Sequence, residues 1–311
     1  ARTAFSSPIP TPGPKAGAAL GQLWLRSESL RGLTLISPTL AVMFGMMVAP
    51  IIVTIVQSFW TQTGFQFDRT PTLGSYAVMF GPEGAMYWRL LGRSLWMSFT
   101  ATLAVVVLAY PMAYFMAFRV TRRKLLWIIL ITIPFWTSYL LRVFAWKVIL
   151  GFNGAINSGL VHAGLIQQPL EFLLYNPTAV TITLAHAWAA FAILPIYVSL
   201  EKIDRSLLEA ATDLGDGPIK RFLRVTFPLS LPGTIAATLM VFIPTVGDYV
   251  TPSLVGGTDG MMIGNSIAMM YGRANNQPLG AVISIVMMLV IAALVGLFLL
   301  AVGRRRLLQK A

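Results

Sequence analysis

"SLLEAATDLGDGPIKRFLRVTFPLSLPG", residues 206–233, sets acids, bases, glycines and prolines into a chain that is otherwise oily. The 311 residues are 56% hydrophobic and only 11% charged, against about 25% charged in soluble domains. Runs free of Asp, Glu, Lys and Arg extend over 34–59, 94–118, 125–141, 172–200, 225–247 and 274–303. A helix needs roughly 20 apolar residues to cross the hydrocarbon core, so these runs predict six spans, and the quoted segment joins the fourth to the fifth. The ten-residue alternation of a membrane β-barrel is absent, which predicts an all-α polytopic bundle.

The net charge of +12 raises the question of a nucleic-acid partner, and its distribution answers it. With the N-terminus in the cytoplasm, 17 of the 23 basic residues fall before span one, after span two, in the quoted segment and its approach, and after span six. Arg69, Arg89, Arg93, Arg142, Lys147 and Arg273 remain on the other side. Such a bias orients membrane proteins. The basic excess therefore reports topology, with both termini cytoplasmic, and no nucleic-acid partner is expected.

Residues 1–17 are rich in Pro, Gly and Ser, lack the apolar core of a signal peptide, and read as a disordered cytoplasmic tail. Residues 18–33 read as an amphipathic helix at the lipid surface, 34–303 as the transmembrane domain, and 304–311 as a basic cytoplasmic tail. There is no cysteine, and His162 and His186 lie far apart without a carboxylate cluster, so no metal site is expected. Pro38, Pro50, Pro111, Pro134, Pro195 and Pro244 predict kinks. Outside the membrane, 60–93 and 142–177 carry aromatic residues suited to an interfacial belt. In 251–273, turn chemistry is followed by an apolar stretch too short to span, which predicts a re-entrant or interfacial helix.

The quoted segment has helical grammar. Ser206 and Glu209 fit a capping box, Leu207, Ala210, Ala211 and Leu214 recur at helical spacing, and Gly215 supplies a left-handed terminator. Asp216 or Gly217 then caps a second helix with Pro218 in its first turn, and Pro228 turns the chain into span five. This predicts a helix-turn-helix lying parallel to the membrane. A connection needs only a few residues, so a platform at 201–229 calls for a docking partner or a resting place on the bilayer.

In this context "EAATDLGDGPIKRFLRVTFP" resembles the EAA loop of binding-protein-dependent ABC importer permeases, at Glu209, Ala210, Ala211, Gly215, Val225, Phe227 and Pro228. It departs from that pattern at Asp216-Gly217, where a small residue such as Ala is usual, and at Phe227, where Leu is common. The segments 231–267 and 135–160 are similar to the spermidine/putrescine permease subfamily, although permeases for iron(III), phosphonate or amino-acid-like solutes share much of them. The resemblance implies a type I ABC importer permease fold with six transmembrane helices in the bacterial inner membrane. It also implies a cytoplasmic ABC ATPase dimer docked at Glu209, Ala210, Ala211, Gly215 and Pro228, a similar but distinct second permease subunit, and a periplasmic solute-binding protein. ATP and Mg belong to the ATPase in this scheme. The chain has no phosphate-binding Gly-x-x-x-x-Gly-Lys-Ser/Thr loop, so no cofactor and no catalytic residue is expected in it.

Asp248 stands at the end of an apolar span, where an ionisable group faces protein or water. Two roles are open to it. It attracts a cationic amine, with Tyr249 and Trp188 lining the route by cation–π contact, or it caps the helix end or pairs with an arginine. His186 reads as a packed hydrogen bonder between helices. An ion-coupled transporter, with Asp248 and His186 as a proton relay, is the second functional class. A membrane-embedded enzyme is the third, and no nucleophile, base or metal constellation supports it.

Overall fold

The computed structural model describes residues 28–308, with side chains placed from 32 to 303. The expected tail at 1–17, residues 18–27 of the expected surface helix, and the side chains of the basic tail lie outside the described residues. Helix α1, Glu28–Gln57, runs unbroken through Pro38 and Pro50. Thr54 Oγ1 donates to the Pro50 carbonyl at 2.8 Å, so one hydroxyl on this apolar helix is satisfied within its own turn.

From residue 57 onward a second unit follows. A hairpin pairs β1, Thr61–Thr63, antiparallel with β2, Gln66–Asp68, in the register Thr61 opposite Asp68. Helix α2, Gly74–Phe80, leads into α3, Ala85–Phe118. The expected external connection 60–93 is therefore shorter than supposed. Arg89 and Arg93 belong to the helix, and Arg93 Nη1 donates to the Asp259 carbonyl at 2.7 Å. An arginine so anchored no longer marks the edge of a span.

The third span also departs from expectation. Helix α4, Lys124–Thr132, gives way to a 3-10 turn at Ile133–Trp136 and extended backbone at Thr137 and Ser138, and α5 begins at Tyr139 and ends at Leu150. Pro134 offers no N–H and crowds the preceding turn, so the helix ends where a kink was expected. The stretch of this region long and apolar enough to span is Tyr139–His162, made of α5 and α6, Ala155–His162, with a turn at 151–154 between them, and 124–136 is a shorter apolar helical stretch. Counting charges ended the span at 141 because Arg142 follows. That arginine finds partners inside the fold.

Helix α7, Pro177–Glu201, is capped by Asn176, whose side chain accepts from the Ala179 N–H at 2.9 Å. It packs with α3 and with α10, Phe227–Val246, around Ala109, Ala113, Ala192, Ile196, Ala237 and Val241. Small side chains let helix backbones approach where lipid supplies no hydrophobic drive. Gly233 shows how closely: a Cβ there would lie 2.3 Å from the Pro195 carbonyl oxygen and 2.4 Å from Ser199 Cβ. The short helix α11, Ile263–Tyr271, stands within the region where a short apolar helix was predicted, and α12, Gln277–Leu308, closes the chain. Among the described residues, six helical stretches are long and apolar enough to cross a membrane.

Candidate functional site

Two sites emerge. The first is the polar segment, where α8, Arg205–Asp213, is followed by α9, Pro218–Arg221. Asp204, not Ser206, caps α8: its carboxylate accepts from the Ser206 N–H at 3.0 Å. Both residues are good caps, and the carboxylate two residues upstream takes the role. The Ser206–Glu209 capping box is thus replaced, and Glu209 stays exposed. That hydrogen bond from the Ser206 N–H holds the Asp204 carboxyl below the usual carboxylate range.

The end of α8 follows the expectation for Gly215. With φ at +86°, it lets its own N–H reach the Thr212 carbonyl at 2.9 Å and the Asp216 N–H reach the Ala211 carbonyl at 3.0 Å, the paired bonds of a Schellman motif. Gly217 caps α9 and Pro218 takes its first position. Across the turn, Arg221 Nη1 donates to Thr212 Oγ1 at 2.8 Å and Arg224 Nη1 to Asp216 Oδ1 at 3.1 Å.

The expected helix-turn-helix needs correction beyond this point. A widened π turn at Phe222–Thr226 carries α9 straight into α10, so Pro218–Val246 is one long helical stretch and Pro228 lies within it. The wider turn accommodates a proline that can neither donate nor tolerate a tight preceding turn. Phe222 and Phe227 anchor this junction against Tyr110 of α3, at ring distances of 5.6 and 6.1 Å, and Tyr110 Oη lies 2.6 Å from Ser230 Oγ. Ala211 is buried while Glu209, Ala210, Gly215 and Pro228 are exposed. Leu214 and Ile219 are 87% and 74% exposed, leaving apolar surface beside the acidic and basic groups.

The second site is a cavity of about 340 Å³ between α5, α7 and the end of α10. It gathers Asp248, Tyr249 and Trp188, the three residues singled out from the sequence, with Tyr139 and Arg142 of α5. Asp248 Oδ2 accepts from Tyr139 Oη at 2.5 Å and from Thr251 Oγ1 at 2.6 Å, and Oδ1 accepts from the Val250 N–H at 2.8 Å. The carboxylate thus caps the turn that follows α10. It pairs with no arginine: the ion pairs among the described residues are Lys124–Glu201 and Arg224–Asp216.

The backbone beneath Asp248 is held by α11. Asn265 Nδ2 donates to the Tyr249 carbonyl at 3.0 Å and to Ser253 Oγ at 2.7 Å. A Cβ on Gly264 would come within 2.6 Å of the Gly247 carbonyl and 2.9 Å of that of Asp248, so only glycine permits this contact.

Arg142, counted from the sequence among the basic residues on the outer side, lines this cavity. Its Nη1 donates to the Ala187 carbonyl at 2.9 Å, and its guanidinium lies 5.1 Å from the Phe135 ring and 5.7 Å from that of Tyr139. Trp188 packs at tilted angles against Tyr139 and Phe191, with ring centroids 6.3 and 5.2 Å away. His186 is not part of the cavity lining. Its ring packs 5.3 Å from Trp146 and its imidazole makes no hydrogen bond among the described residues, so the hydrogen-bonding role expected of it is not seen. The sequence clue to Arg142 was available: an ionisable residue with apolar residues on both sides marks an internal polar site.

The family described as "Binding-protein-dependent transport system inner membrane component" matches residues 16–308. The spermidine/putrescine transport system permease protein PotB of Escherichia coli strain K12 is 36% identical over 263 residues, covering 84% of this chain and 93% of that protein. PotB of Haemophilus influenzae is 34% identical over 262 residues, covering 83% and 90%. The inner membrane ABC transporter permease protein YdcU of E. coli is 31% identical over 294 residues, covering 90% and 92%. The crystal structure of a bacterial ABC transporter involved in import of the acidic polysaccharide alginate shares the fold, with a TM-score of 0.68 at 15% identity over 92% of this chain and 99% of that one. With its six apolar helices and its EAA segment, the chain belongs to the inner-membrane components of binding-protein-dependent transport systems, as a multi-pass permease subunit of an ABC importer.

Proposed function

We propose that this permease moves a polyamine such as spermidine or putrescine from a periplasmic solute-binding protein to the cytoplasm, driven by a cytoplasmic ATPase pair. The observation that carries the substrate class is the 36% identity with PotB over 84% of the chain. The convergence of Asp248, Tyr249 and Trp188 on one cavity accords with it, because a carboxylate among aromatic faces attracts an ammonium group.

Energy enters, in this reading, at the polar segment. Glu209, Ala210, Gly215 and Pro228 form the ATPase-coupling surface, Ala211 is packed beneath it, and the exposed Leu214 and Ile219 supply apolar contact. ATP and Mg are bound by the ATPase, a second and similar permease chain completes the pathway, and both termini lie in the cytoplasm. ATP binding closes the ATPases, and the helical stretch from Pro218 to Val246 transmits their movement toward Asp248.

Glu209→Arg tests the coupling surface. In the reconstituted transporter the variant is expected to lose ATPase co-purification and solute uptake together while the permease still inserts. Uptake by the chain without any ATPase would overturn the reading in favour of an ion-coupled carrier. Substrate class is tested on the cognate solute-binding protein, whose melting temperature should rise with spermidine or putrescine and not with phosphonate or iron(III).

A further inference from the structure

The cavity that holds Asp248 also holds an unneutralised cation. Arg142 spends Nη1 on the Ala187 carbonyl, and its Nε is buried without an acceptor. Neither ion pair among the described residues involves it. A guanidinium offers five N–H donors in a planar fork that matches a carboxylate. One hydrogen bond and two ring faces leave most of that capacity unused.

Asp248 presents the complementary case. Its oxygens are held by a phenol, a threonine hydroxyl and two backbone N–H groups, all neutral. One chamber of about 340 Å³ therefore carries one formal charge of each sign, each held by neutral partners and neither cancelled by the other. Leaving both without a charged partner, one in an apolar helix and the other at the end of one, is costly, which marks them as functional. A dication is drawn to Asp248 and repelled by Arg142. A molecule with an ammonium at one end and a carboxylate at the other is drawn to both, and its aliphatic middle meets the rings of Phe135, Trp188 and Phe191. The volume lies at the small end of the about 300–1,000 Å³ typical of small-molecule pockets, which suits a short chain.

We infer that the cavity accepts aliphatic aminocarboxylates, with Arg142 as the carboxylate-binding residue and Asp248 facing the ammonium. The inference rests on the reading of this cavity as the solute passage and extends its substrate class beyond diamines.

The test uses the assembled transporter with the full chain in lipid nanodiscs, and equilibrium binding of radiolabelled putrescine and 4-aminobutyrate. The two probes share a four-carbon chain and one ammonium and differ at the other end. Wild type is expected to bind 4-aminobutyrate. Arg142→Met should shift the ratio of the two affinities toward putrescine by about tenfold or more, and Arg142→Lys, which keeps the charge but not the fork, should recover part of that shift. Putrescine binding without 4-aminobutyrate binding overturns the inference and leaves the polyamine reading intact. So does an unchanged ratio in Arg142→Met, the result expected if the arginine only staples α5 to α7. Binding of 4-aminobutyrate alone supports the inference and overturns the polyamine reading. Binding of neither overturns both.

Discussion

The polar segment at 204–226 and the cavity around Asp248 meet the same demand, that polar groups find partners, in opposite ways. The segment satisfies itself locally. Asp204 serves a backbone N–H two residues on, Gly215 turns the chain so that carbonyls of the same helix are used, and Arg224 reaches only as far as Asp216. The cavity adds partners at long range: beside its local bonds from Val250 and Thr251, Asp248 accepts from Tyr139, 109 residues away, and Arg142 donates to the carbonyl of Ala187, 45 residues away. A surface built from its own backbone can present exposed side chains to a partner and move as a unit. A chamber built from three elements changes when any one of them shifts, which suits alternating access.

Helix α10 joins the two regions, so a disturbance of its packing is expected to have the largest effect on both. Gly233→Val places a side chain where a Cβ alone would lie 2.3 Å from the Pro195 carbonyl oxygen. Overpacking of this kind costs on the order of 3 kcal/mol or more when backbone must move. The variant is expected to lose thermal stability and ATPase-coupled uptake together, measured by melting in detergent and by transport in proteoliposomes. Damage to uptake with intact melting would show that the two regions are less rigidly joined than α10 implies.

A narrower change separates them. Asp248→Asn keeps the shape of the cap but removes the charge, and is expected to raise the KM for putrescine uptake about tenfold or more while co-purification with the ATPase is retained. Thr251→Val, which removes one of the hydroxyls on the same carboxylate, serves as the neutral comparison and should have a smaller effect. Equal effects would mean that the carboxylate serves the turn and not the solute.

The smallest effect is one of pH and belongs to the segment alone. The Asp204 carboxyl is held below its usual range by the Ser206 N–H. A depressed folded-state value means that the cap's contribution is complete above the unfolded value of about 3.9 and fades as pH falls through the folded value. Amide exchange over 205–208 should therefore quicken below pH ~4, relative to its intrinsic rate. Asp204→Asn, a cap that does not titrate, should flatten that dependence. An identical acid response in the variant would remove Asp204 from the account.

How much was legible follows from the same contrast. Gly215 as terminator and Pro218 at the first turn of the next helix could be read from sequence because their geometry is fixed by neighbours in the chain. Even there, Asp204 and Ser206 were both chemically fit to cap α8, and the choice between them fell to backbone direction. Span three was cut at residue 141 because an arginine in sequence looks like a surface residue. Only the fold shows the Ala187 carbonyl and the Phe135 and Tyr139 rings that receive it. Asp248, Tyr249 and Trp188 were each selected singly, and their meeting in one cavity, together with Tyr139 and Arg142, was not predictable from spacing.

The sequence by itself determined the membrane, the number of spans, the helical character of the segment at 206–233 and the family. Hydropathy, caps and turn residues act over a few positions, and those features need nothing more. Tertiary structure alone decided which buried polar groups share a chamber, where the third span breaks, and that α9 continues into α10 through a widened turn. Those outcomes depend on hydrogen bonds and close contacts between helices, such as the one that Gly233 permits, whose partners lie tens of residues apart and are brought together only by packing.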